Sequence, residues 1–512
     1  MVLLGNVIKN VIDARGKLPS TQKKVSVDKA QEAVLKKLLL SARNTSFGKE
    51  YKFRQILANK NIIEKFQQNV PIFDYDKMYQ EWWNKSLEGD TSVSWPGKVK
   101  YFALSSGTSG ATSKYIPVTA KMVSQIRKSG IRLIWTLDKY NLPPKIFSKG
   151  ILMLGGSTEL ENNSIYYEGD LSGITTSKLP LWFQNFYKPG RKISKEKDWT
   201  KKLDEIVKKA PKWDIAAIVG VPAWLQILLE KIIDHYQLSN IHEIWPNLTI
   251  FVHGGVPFSP YVKGFESLLA RPLVYIETYL ASEGFIAFQS RPNTSSMELI
   301  VDNGIFYEFI PFTSENFDND GNIKNNVKPI DITKVEEDVD YALLISTCSG
   351  AWRYMIGDTV KFTSKKNNEI IISGRTQQFL SICGEHLSHQ NLNKAIEMLE
   401  EELNITVREF AVCGRKSING MFGHQWFVGC ETPVDPVLVS ETLDKNLKLL
   451  NDDYKTERLH AITSVETIIL NPSVFYDWLK KQGKEGGQNK FPRVLKDEKL
   501  SDWLIFIQDY LK

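Results

Sequence analysis

Hydroxyl, glycine and lysine residues are concentrated in one short segment of this sequence. Residues 105–114 read Ser-Ser-Gly-Thr-Ser-Gly-Ala-Thr-Ser-Lys and lie between two apolar, strand-like stretches. Glycines let the backbone approach a ligand closely, free N–H groups form an anion-binding concavity, and the hydroxyls and the ammonium add donors. The composition therefore suits a phosphate cradle, although the Gly-Lys-Ser/Thr of a Walker A loop is missing. Taken alone, an ordinary Ser/Gly turn explains the segment equally well.

A second polar group follows an apolar stretch at residues 278–284. Tyr279 could stack on a base, and Thr278 or Ser282 could contact a phosphate. Glu283 could hold Mg²⁺, because this hard cation prefers carboxylate and phosphate oxygens. The alternative interpretation is a strand end with an exposed glutamate.

Three more positions offer charge near turns. Residues 352–358 form a polar corner between two expected strands, in which Asp358 could accept both ribose hydroxyls and Arg353 could be a structural partner. Arg375 lies in a segment that could also be a simple linker. Lys490 lies in a glycine-bearing loop that could deliver a cation, although lysines in such loops are usually solvated.

The elements that position these residues follow from the alternation of short apolar runs with longer mixed segments between residues 98 and 310, which predicts an α/β layered domain. Residues 26–42 have helical spacing, and residues 216–221 predict a buried strand that turns at Pro222 into a helix. The pattern changes after Arg375, so we place a domain boundary there, with a large domain over 1–374 and a small α+β domain over 375–512. The expected strands of the large domain are Tyr101–Leu104, Ile151–Leu154, Ala216–Val221, Leu248–Val252, Leu273–Thr278, Tyr341–Thr347 and Asp358–Phe362.

Composition limits the class of protein. The 512 residues are 42% hydrophobic and 24% charged, with a net charge of +6, which is typical of a globular chain rather than a nucleic-acid binder. The four cysteines show no paired spacing and no cationic leader precedes an apolar core, so we expect a cytoplasmic protein. The most apolar window, residues 215–229, contains Gly, Pro and Gln and is too short to span a bilayer, so no membrane association is expected.

These groups, in this order, resemble the sequence motifs of adenylate-forming enzymes, and most closely those of the auxin-responsive Gretchen Hagen family of acyl acid amido synthetases. The family's Ser/Thr/Gly loop and the Ile-Pro-x-Thr stretch after it correspond to residues 105–119, its Tyr-Gly-x-Ser-Glu-Gly motif to 279–284, and its Tyr-Arg-x-Gly-Asp motif to 354–358. The resemblance extends from about residue 40 to 495. The sequence departs from the family motifs at two positions. Leu280 stands in place of a glycine, and Met355 stands in place of an arginine whose role Arg353 could take over.

The resemblance implies a fold, a reaction and a set of site residues. The fold would be a large layered domain of β-sheets flanked by helices, with a β-barrel-like part, and a small mobile α+β C-terminal domain. The expected ATP-binding residues are Ser105, Ser106, Thr108, Lys114, Gly254, Gly255, Thr278, Tyr279, Ser282 and Asp358. The expected catalytic residues are Lys490, Glu283 and Arg375, of which Glu283 would hold Mg²⁺, Arg375 would lie at the hinge and Lys490 would come from the small domain.

The implied reaction joins a small carboxylic acid to an amino acid with ATP and Mg²⁺, through an acyl-adenylate. An acyl-CoA ligase shares the first half of this reaction and remains an alternative. A nucleotide-binding relative without activity remains another, because of Leu280 and Met355. The family resemblance also leads us to expect a monomer, and it identifies neither the acid nor the amine.

Overall fold

We describe the fold from a computed structural model of the chain. It describes residues 2–17, 26–105, 114–255, 258, 261–318, 321–376, 380, 387, 389–416, 422–451, 454–455, 458, 462–484, 490–508 and 510. The α-helices in these ranges are α1 Val2–Lys17, α2 Val27–Ala42, α3 Ser46–Glu50, α4 Phe53–Leu57, α5 Ile62–Asn69, α6 Tyr75–Met78, α7 Asn84–Leu87, α8 Ala120–Trp135, α9 Leu171–Thr176, α10 Arg191–Ser194, α11 Trp199–Lys209, α12 Pro222–Tyr236, α13 Val262–Ser267, α14 His389–Leu403, α15 Pro436–Leu450, α16 Ser473–Lys481 and α17 Asp497–Ile507.

The strands form three sheets. Their bounds are β1 Tyr101–Ser105, β2 Lys114–Val118, β3 Gly150–Met153, β4 Glu161–Asn162, β5 Tyr167–Gly169, β6 Tyr187–Lys188, β7 Ile215–Gly220, β8 Ile250–Gly254, β9 Val274–Ala281, β10 Gly284–Phe288, β11 Met297–Leu299, β12 Ile305–Pro311, β13 Asp340–Thr347, β14 Tyr354–Ser364, β15 Glu369–Arg375, β16 Val407–Lys416, β17 Phe422–Cys430 and β18 Ile462–Leu470.

The largest sheet has eleven strands in the order β12-β13-β14-β15-β11-β10-β9-β8-β7-β3-β6. The half from β6 to β9 is parallel, and the half from β9 to β12 is antiparallel. The barrel-like part implied by the family resemblance corresponds to this antiparallel half. Among the described residues β12 is an edge strand, so this half is an open sheet. The carboxyl ends of β3, β7, β8 and β9 meet at one edge, where ligands bind in open α/β sheets.

Local sequence signals explain the parallel half. β7 is a buried apolar run, and α12 starts at Pro222, which suits the first turn of a helix because proline lacks the N–H that would be unpaired there. The predicted strand, turn and helix are therefore confirmed. Helices α11 and α12 pack their apolar faces on one side of these strands, where Trp199, Leu203 and Leu228 are buried in one core.

A smaller sheet presents the loop with which the sequence analysis began. Its order is β2-β1-β5-β4, and β1 and β2 are antiparallel neighbours with Ser105 opposite Lys114. The loop between them, residues 106–113, lies outside the described residues. The end of β1 and the start of β2 therefore fix where this loop leaves and rejoins the sheet.

The C-terminal part has a sheet and cores of its own. Strands β16, β17 and β18 form it, and α14 and α15 share one apolar core with these strands, while α16 and α17 share a second core. The fold is thus a large layered α/β arrangement with a separate C-terminal α+β unit, as predicted. No helix among the described residues is long and apolar enough to cross a membrane.

Candidate active site

A cleft of about 940 Å³ lies between the carboxyl edge of the parallel strands and the C-terminal part. The ends of β3, β7, β8 and β9 form one wall, and residues from α14, β16, α16 and the segment 490–493 form the other. The predicted site residues that line it are Lys114, Gly254, Gly255, Thr278, Tyr279, Ser282, Glu283, Asp358, Arg375 and Lys490. Ser106 and Thr108 lie outside the described residues, and only the backbone of Ser105 is described, at the end of β1.

Asp358 is held from two sides by neighbouring side chains. It pairs with Arg375 across β14 and β15, and the Arg375 Nε lies 2.8 Å from its Oδ1. The Tyr279 hydroxyl donates to Oδ2 at 2.5 Å. Burial, followed by the charge of Asp358, raises the pKa of Tyr279 well above its usual value, so this hydroxyl stays a donor. The sequence had suggested that a strand starts at Asp358. In the structure β14 begins at Tyr354, so the Asp358 carboxylate lies within the strand.

Tyr279, which was predicted to stack on a base, is a buried residue whose hydroxyl already has a partner. Its side chain is buried, with 5% of its surface exposed, and its hydroxyl is engaged by Asp358. The ring lines the cleft, so stacking on a base stays a prediction, and the structure adds a role in positioning Asp358.

Glu283 lies at the tip of the tight hairpin between β9 and β10. Gly284 opens β10 with φ +148°, and a Cβ there would lie 2.8 Å from Ile305 Cδ1 and 3.2 Å from Met122 Sδ, so the turn requires glycine. Burial raises the pKa of Glu283 to about 7, and the charge of Asp358 adds to this effect. Among the described residues no lysine or arginine forms an ion pair with Glu283. A buried carboxylate that lacks a cation partner and faces the cleft fits a divalent metal ion.

Lys490 reaches across the cleft to the glycine pair after β8. A Cβ built on Gly255, whose φ is +85°, would lie 3.5 Å from Lys490 Cε and 3.7 Å from its Nζ. Gly254 is needed for a different reason, because a Cβ there would lie 2.4 Å from the Thr278 carbonyl oxygen. Lys490 is exposed to the open cleft. Its pKa is lowered to about 8, mainly because protein atoms surround its ammonium and secondly because of the positive charge of Arg375.

Lys114 supplies a second cation in the cleft, and its charge acts on Glu283. Its Nζ lies 5.1 Å from the centre of the Tyr75 ring. Burial lowers the pKa of Lys114, and the negative charge of Glu283 opposes that change. This part of the cleft therefore combines Lys490 and Lys114 with Glu283, which forms no ion pair among the described residues, and with the braced Asp358. Such a set of groups suits a ligand with phosphate groups and hydroxyls.

The two departures from the family motifs have different surroundings. Leu280 is 39% exposed and lines the cleft, whereas Met355 packs in an apolar cluster with Ala342 and Leu344. Arg353 is buried and its guanidinium lies 3.0 Å from Glu308, so the prediction of a structural partner in the corner is confirmed.

Sequence reasoning missed Glu277. His253 directly precedes the glycine pair Gly254 and Gly255, and from the sequence a site role and a structural role are equally consistent with that position. Glu277 and His253 both line the cleft, and they are neighbours on β8 and β9. Burial raises the pKa of Glu277 to about 7 and lowers that of His253 to about 4, so near neutral pH His253 is uncharged and Glu277 is only partly ionised. The signal for Glu277 was its spacing of two from Tyr279 in a strand, which places both side chains on one face.

Family models match the chain over most of its length. The model described as the GH3 family N-terminal domain matches residues 21–164 and 156–272, that of the GH3 family central domain matches 298–371, and that of the GH3 family C-terminal domain matches 390–499.

Individual proteins agree with this assignment. The chain is 22% identical to the indole-3-acetic acid-amido synthetase GH3.4 of Arabidopsis thaliana, over 91% of this chain and 89% of that protein. Its fold matches the GH3.15 acyl acid amido synthetase with a TM-score of 0.76 at 17% identity, covering 94% of both chains. It also matches a 2-hydroxyisobutyryl-CoA ligase in the postadenylation state, with a TM-score of 0.60 at 12% identity, covering 96% of this chain and 93% of that one.

Proposed function

Because the chain belongs to the GH3 family, the Gretchen Hagen family of the sequence resemblance, we propose that it is an ATP-dependent acyl acid amido synthetase. It adenylates a small carboxylic acid and transfers the acyl group to an amino acid. The observation that carries this proposal is the approach of Lys490, from the C-terminal part, to Gly255 in the cleft that also holds Glu283 and the Asp358–Arg375 pair. Relatives named as indole-3-acetic acid-amido and jasmonoyl-L-amino acid synthetases support the reaction class.

The first half-reaction brings two anions together. The carboxylate of the acid attacks the α-phosphorus of ATP, forming a P–O bond to the acyl oxygen while pyrophosphate leaves. Catalysis then depends on neutralising charge and fixing an in-line geometry. Lys490 and Lys114 place positive charge in the cleft, Asp358 accepts the ribose hydroxyls, and Thr278 and Ser282 lie beside the phosphates.

Glu283 is the residue that would hold Mg²⁺, and the bound ion would supply neutralisation of the phosphate oxygens. The fit rests on its burial and on its lack of a cation partner among the described residues.

In the second half-reaction the amine of an amino acid attacks the acyl carbon, and AMP leaves with the electrons of the broken C–O bond. We place the boundary of a mobile C-terminal domain at Arg375, so that 1–374 and 375–512 rotate against each other between the two half-reactions. Arg375 ends β15 and pairs with Asp358, and a hinge there would therefore connect domain motion with the ribose site.

Two other functions remain alternatives. An acyl-CoA ligase would use the same adenylate and the same cleft, and the fold is compatible with it. A relative without activity is less well supported, because Glu283, Asp358 and Lys490 converge on one cleft despite the changes at Leu280 and Met355. The cytoplasmic location, the monomeric state and the lack of nucleic-acid and membrane partners stay predictions.

ATP–pyrophosphate exchange with a panel of carboxylic acids tests the adenylation step. The panel includes aryl acids and short aliphatic acids. We expect exchange that requires Mg²⁺ and that only one class of acid supports. A well-folded protein that binds ATP but supports no exchange with any acid would contradict the proposal and favour the inactive relative.

A further inference from the structure

A buried lysine lies at the β3 end of the cleft, away from the residues discussed so far. Lys202 of α11 is 3% exposed, and it lines the cleft together with the end of β3. Among the described residues its ammonium donates one hydrogen bond, to the Gly155 carbonyl oxygen at 3.3 Å, and lies 5.5 Å from the Trp199 ring centre. An ammonium has three donors, so Lys202 is incompletely satisfied.

The negative charges of Asp170 and Glu196 act on Lys202, but neither carboxylate forms an ion pair with it in the described part of the chain, and Asp170 is packed tightly against the same turn. A Cβ on Gly156 would lie 1.9 Å from Asp170 Oδ2, and a Cβ on Gly155 would lie 2.9 Å from Ser172 Oγ. The glycine pair therefore lets α9 and its preceding residue approach the end of β3. No ion pair or hydrogen bond of the Asp170 carboxylate is formed within the described part of the chain, and burial raises its pKa while the charge of Lys202 opposes the change.

The position of this cluster follows from the strand order. β3 is separated from β8 by β7, and strands lie about 4.8 Å apart, so the end of β3 is roughly 10 Å from Gly254 and Gly255. Val221 and Trp224, which follow β7, line the cleft between the two places. A ligand whose reacting group lies near Lys490 can therefore reach Lys202 with its other end.

A purely structural role explains Lys202 poorly. Burying an ammonium without enough partners is unfavourable, and burial indeed lowers the pKa of Lys202 to about 8. Lys208, on the same helix, is 65% exposed and forms a surface ion pair with Glu205 instead. An anionic group bound at this end of the cleft would accept the remaining hydrogen bonds that the Lys202 ammonium can donate.

We propose that Lys202 binds a substrate carboxylate other than the one that is activated. This inference rests on the proposed function. The carboxylate belongs either to the amino acid acceptor or to the far end of a dicarboxylic acid, and both sources present the same chemistry to the ammonium.

Kinetics of Lys202→Met distinguish the two sources, with Lys208→Met as the control and Lys202→Arg as the variant that keeps the charge. Loss of a hydrogen bond to a charged group predicts a KM increase of roughly ten- to a hundredfold. If Lys202 binds the far carboxylate of a dicarboxylic acid, the KM of adipate in pyrophosphate exchange rises in Lys202→Met, while the KM of hexanoate does not. If Lys202 binds the carboxylate of the amino acid acceptor, pyrophosphate exchange by Lys202→Met is unchanged. The KM of L-alanine in amide formation then rises, while the KM of ethylamine does not. Recovery by Lys202→Arg supports either assignment, and unchanged KM values for all four probes overturn the proposal.

Thermal unfolding with the same probes decides the matter if the protein shows no exchange activity. We expect adipate or L-alanine, in the presence of a non-hydrolysable ATP analogue, to raise the Tm of the wild type and Lys202→Arg but not that of Lys202→Met. Equal Tm shifts in wild type and Lys202→Met, or no shift in any protein, contradict the proposal. If Lys202→Met does not fold, Lys202→Gln is judged by the same criteria.

Discussion

At the scale of single residues, Asp358 shows how the site is prepared for its ligand. Its two oxygens each accept one hydrogen bond, from Arg375 and from Tyr279. A carboxylate offers about four acceptor positions, so the ribose hydroxyls of the proposed ATP substrate could still donate to it. The carboxylate is therefore oriented without being saturated, which reduces the ordering that ATP binding must impose.

Tyr279→Phe separates positioning from stacking. The variant keeps the ring and removes the hydroxyl that donates to Asp358. Because hydrogen bonds to charged groups contribute about 1.5–3 kcal/mol, we expect the KM for ATP in pyrophosphate exchange to rise roughly tenfold or more. An unchanged KM would assign Tyr279 to stacking alone.

Lys490→Ala tests the cation that comes from the C-terminal part. Removing one preorganised donor to developing charge costs about 2.7–4 kcal/mol, so exchange should fall roughly a hundred- to a thousandfold. ATP binding, measured by calorimetry, should be retained in part because Asp358 and Glu283 are intact. Lys496→Ala is the matched control, since Lys496 is exposed and outside the cleft. Normal exchange in Lys490→Ala would remove this residue from the mechanism.

At the scale of elements, the corner before β14 is held by one buried ion pair. Arg353 has φ +42°, and its guanidinium lies 3.0 Å from Glu308 of β12. Its Nη1 also donates to the carbonyl oxygens of Gln67 at 2.9 Å and Val70 at 2.6 Å, at the end of α5. The pair thus joins a helix end to two strands, and it fixes the strand that bears Asp358.

Arg353→Met should destabilise the protein strongly. It leaves Glu308 buried without a cation, a change that typically costs about 3–5 kcal/mol of unfolding free energy. Urea unfolding measures this effect. The double variant Arg353→Met/Glu308→Leu should recover part of the loss, because no isolated charge remains buried. Equal stability of the single and double variants would contradict this account of the corner.

Elements whose signals lie within one short stretch were predictable, whereas contacts across the fold were not. The run 215–220 and Pro222 specify β7 and α12 by themselves, and their prediction is confirmed. The start of β14 was misjudged because Tyr354 and Met355 are paired by β13, and Tyr354 also by Phe73, which local sequence does not show. Lys202 was missed for the same reason, since only the fold brings it from a surface-like lysine-rich stretch to the end of β3.

At the scale of the whole molecule, polar contacts join the C-terminal part to the large sheet and its helices. Arg408 of β16 lies 2.7 Å from Glu230 of α12. The Tyr261 hydroxyl donates to Glu409 at 3.2 Å, and Arg493 lies 2.5 Å from the same carboxylate. These contacts accompany the position of Lys490 beside Gly255, which is the arrangement that the proposed mechanism requires for adenylation.

The Arg408–Glu230 pair should bias domain orientation modestly. About a quarter of each side chain is exposed, so the pair contributes about 1 kcal/mol or less. We therefore expect Arg408→Glu to lower pyrophosphate exchange roughly two- to fivefold, while amide formation from a supplied acyl-adenylate is not reduced. The charge-swapped double variant Arg408→Glu/Glu230→Arg should restore exchange. Equal losses in both half-reactions would show that the pair acts on general stability instead.

Domain arrangement and substrate identity depend on information that is spread over the chain. The motif residues 279–284 and 354–358 indicated a shared site, and the structure brings them together with Lys490. The acid pocket could not be derived in this way, because side-chain types do not give its shape. The boundary at Arg375 likewise stays a prediction.

The most direct test of the central claim is the identity of the product. The protein is incubated with ATP, Mg²⁺, an acid that supports exchange, a mixture of amino acids and coenzyme A, and the products are resolved by mass spectrometry. We predict an N-acyl amino acid formed together with equal amounts of AMP and pyrophosphate. An acyl-CoA thioester formed without any amide would contradict the claim and assign the chain to the acyl-CoA ligases.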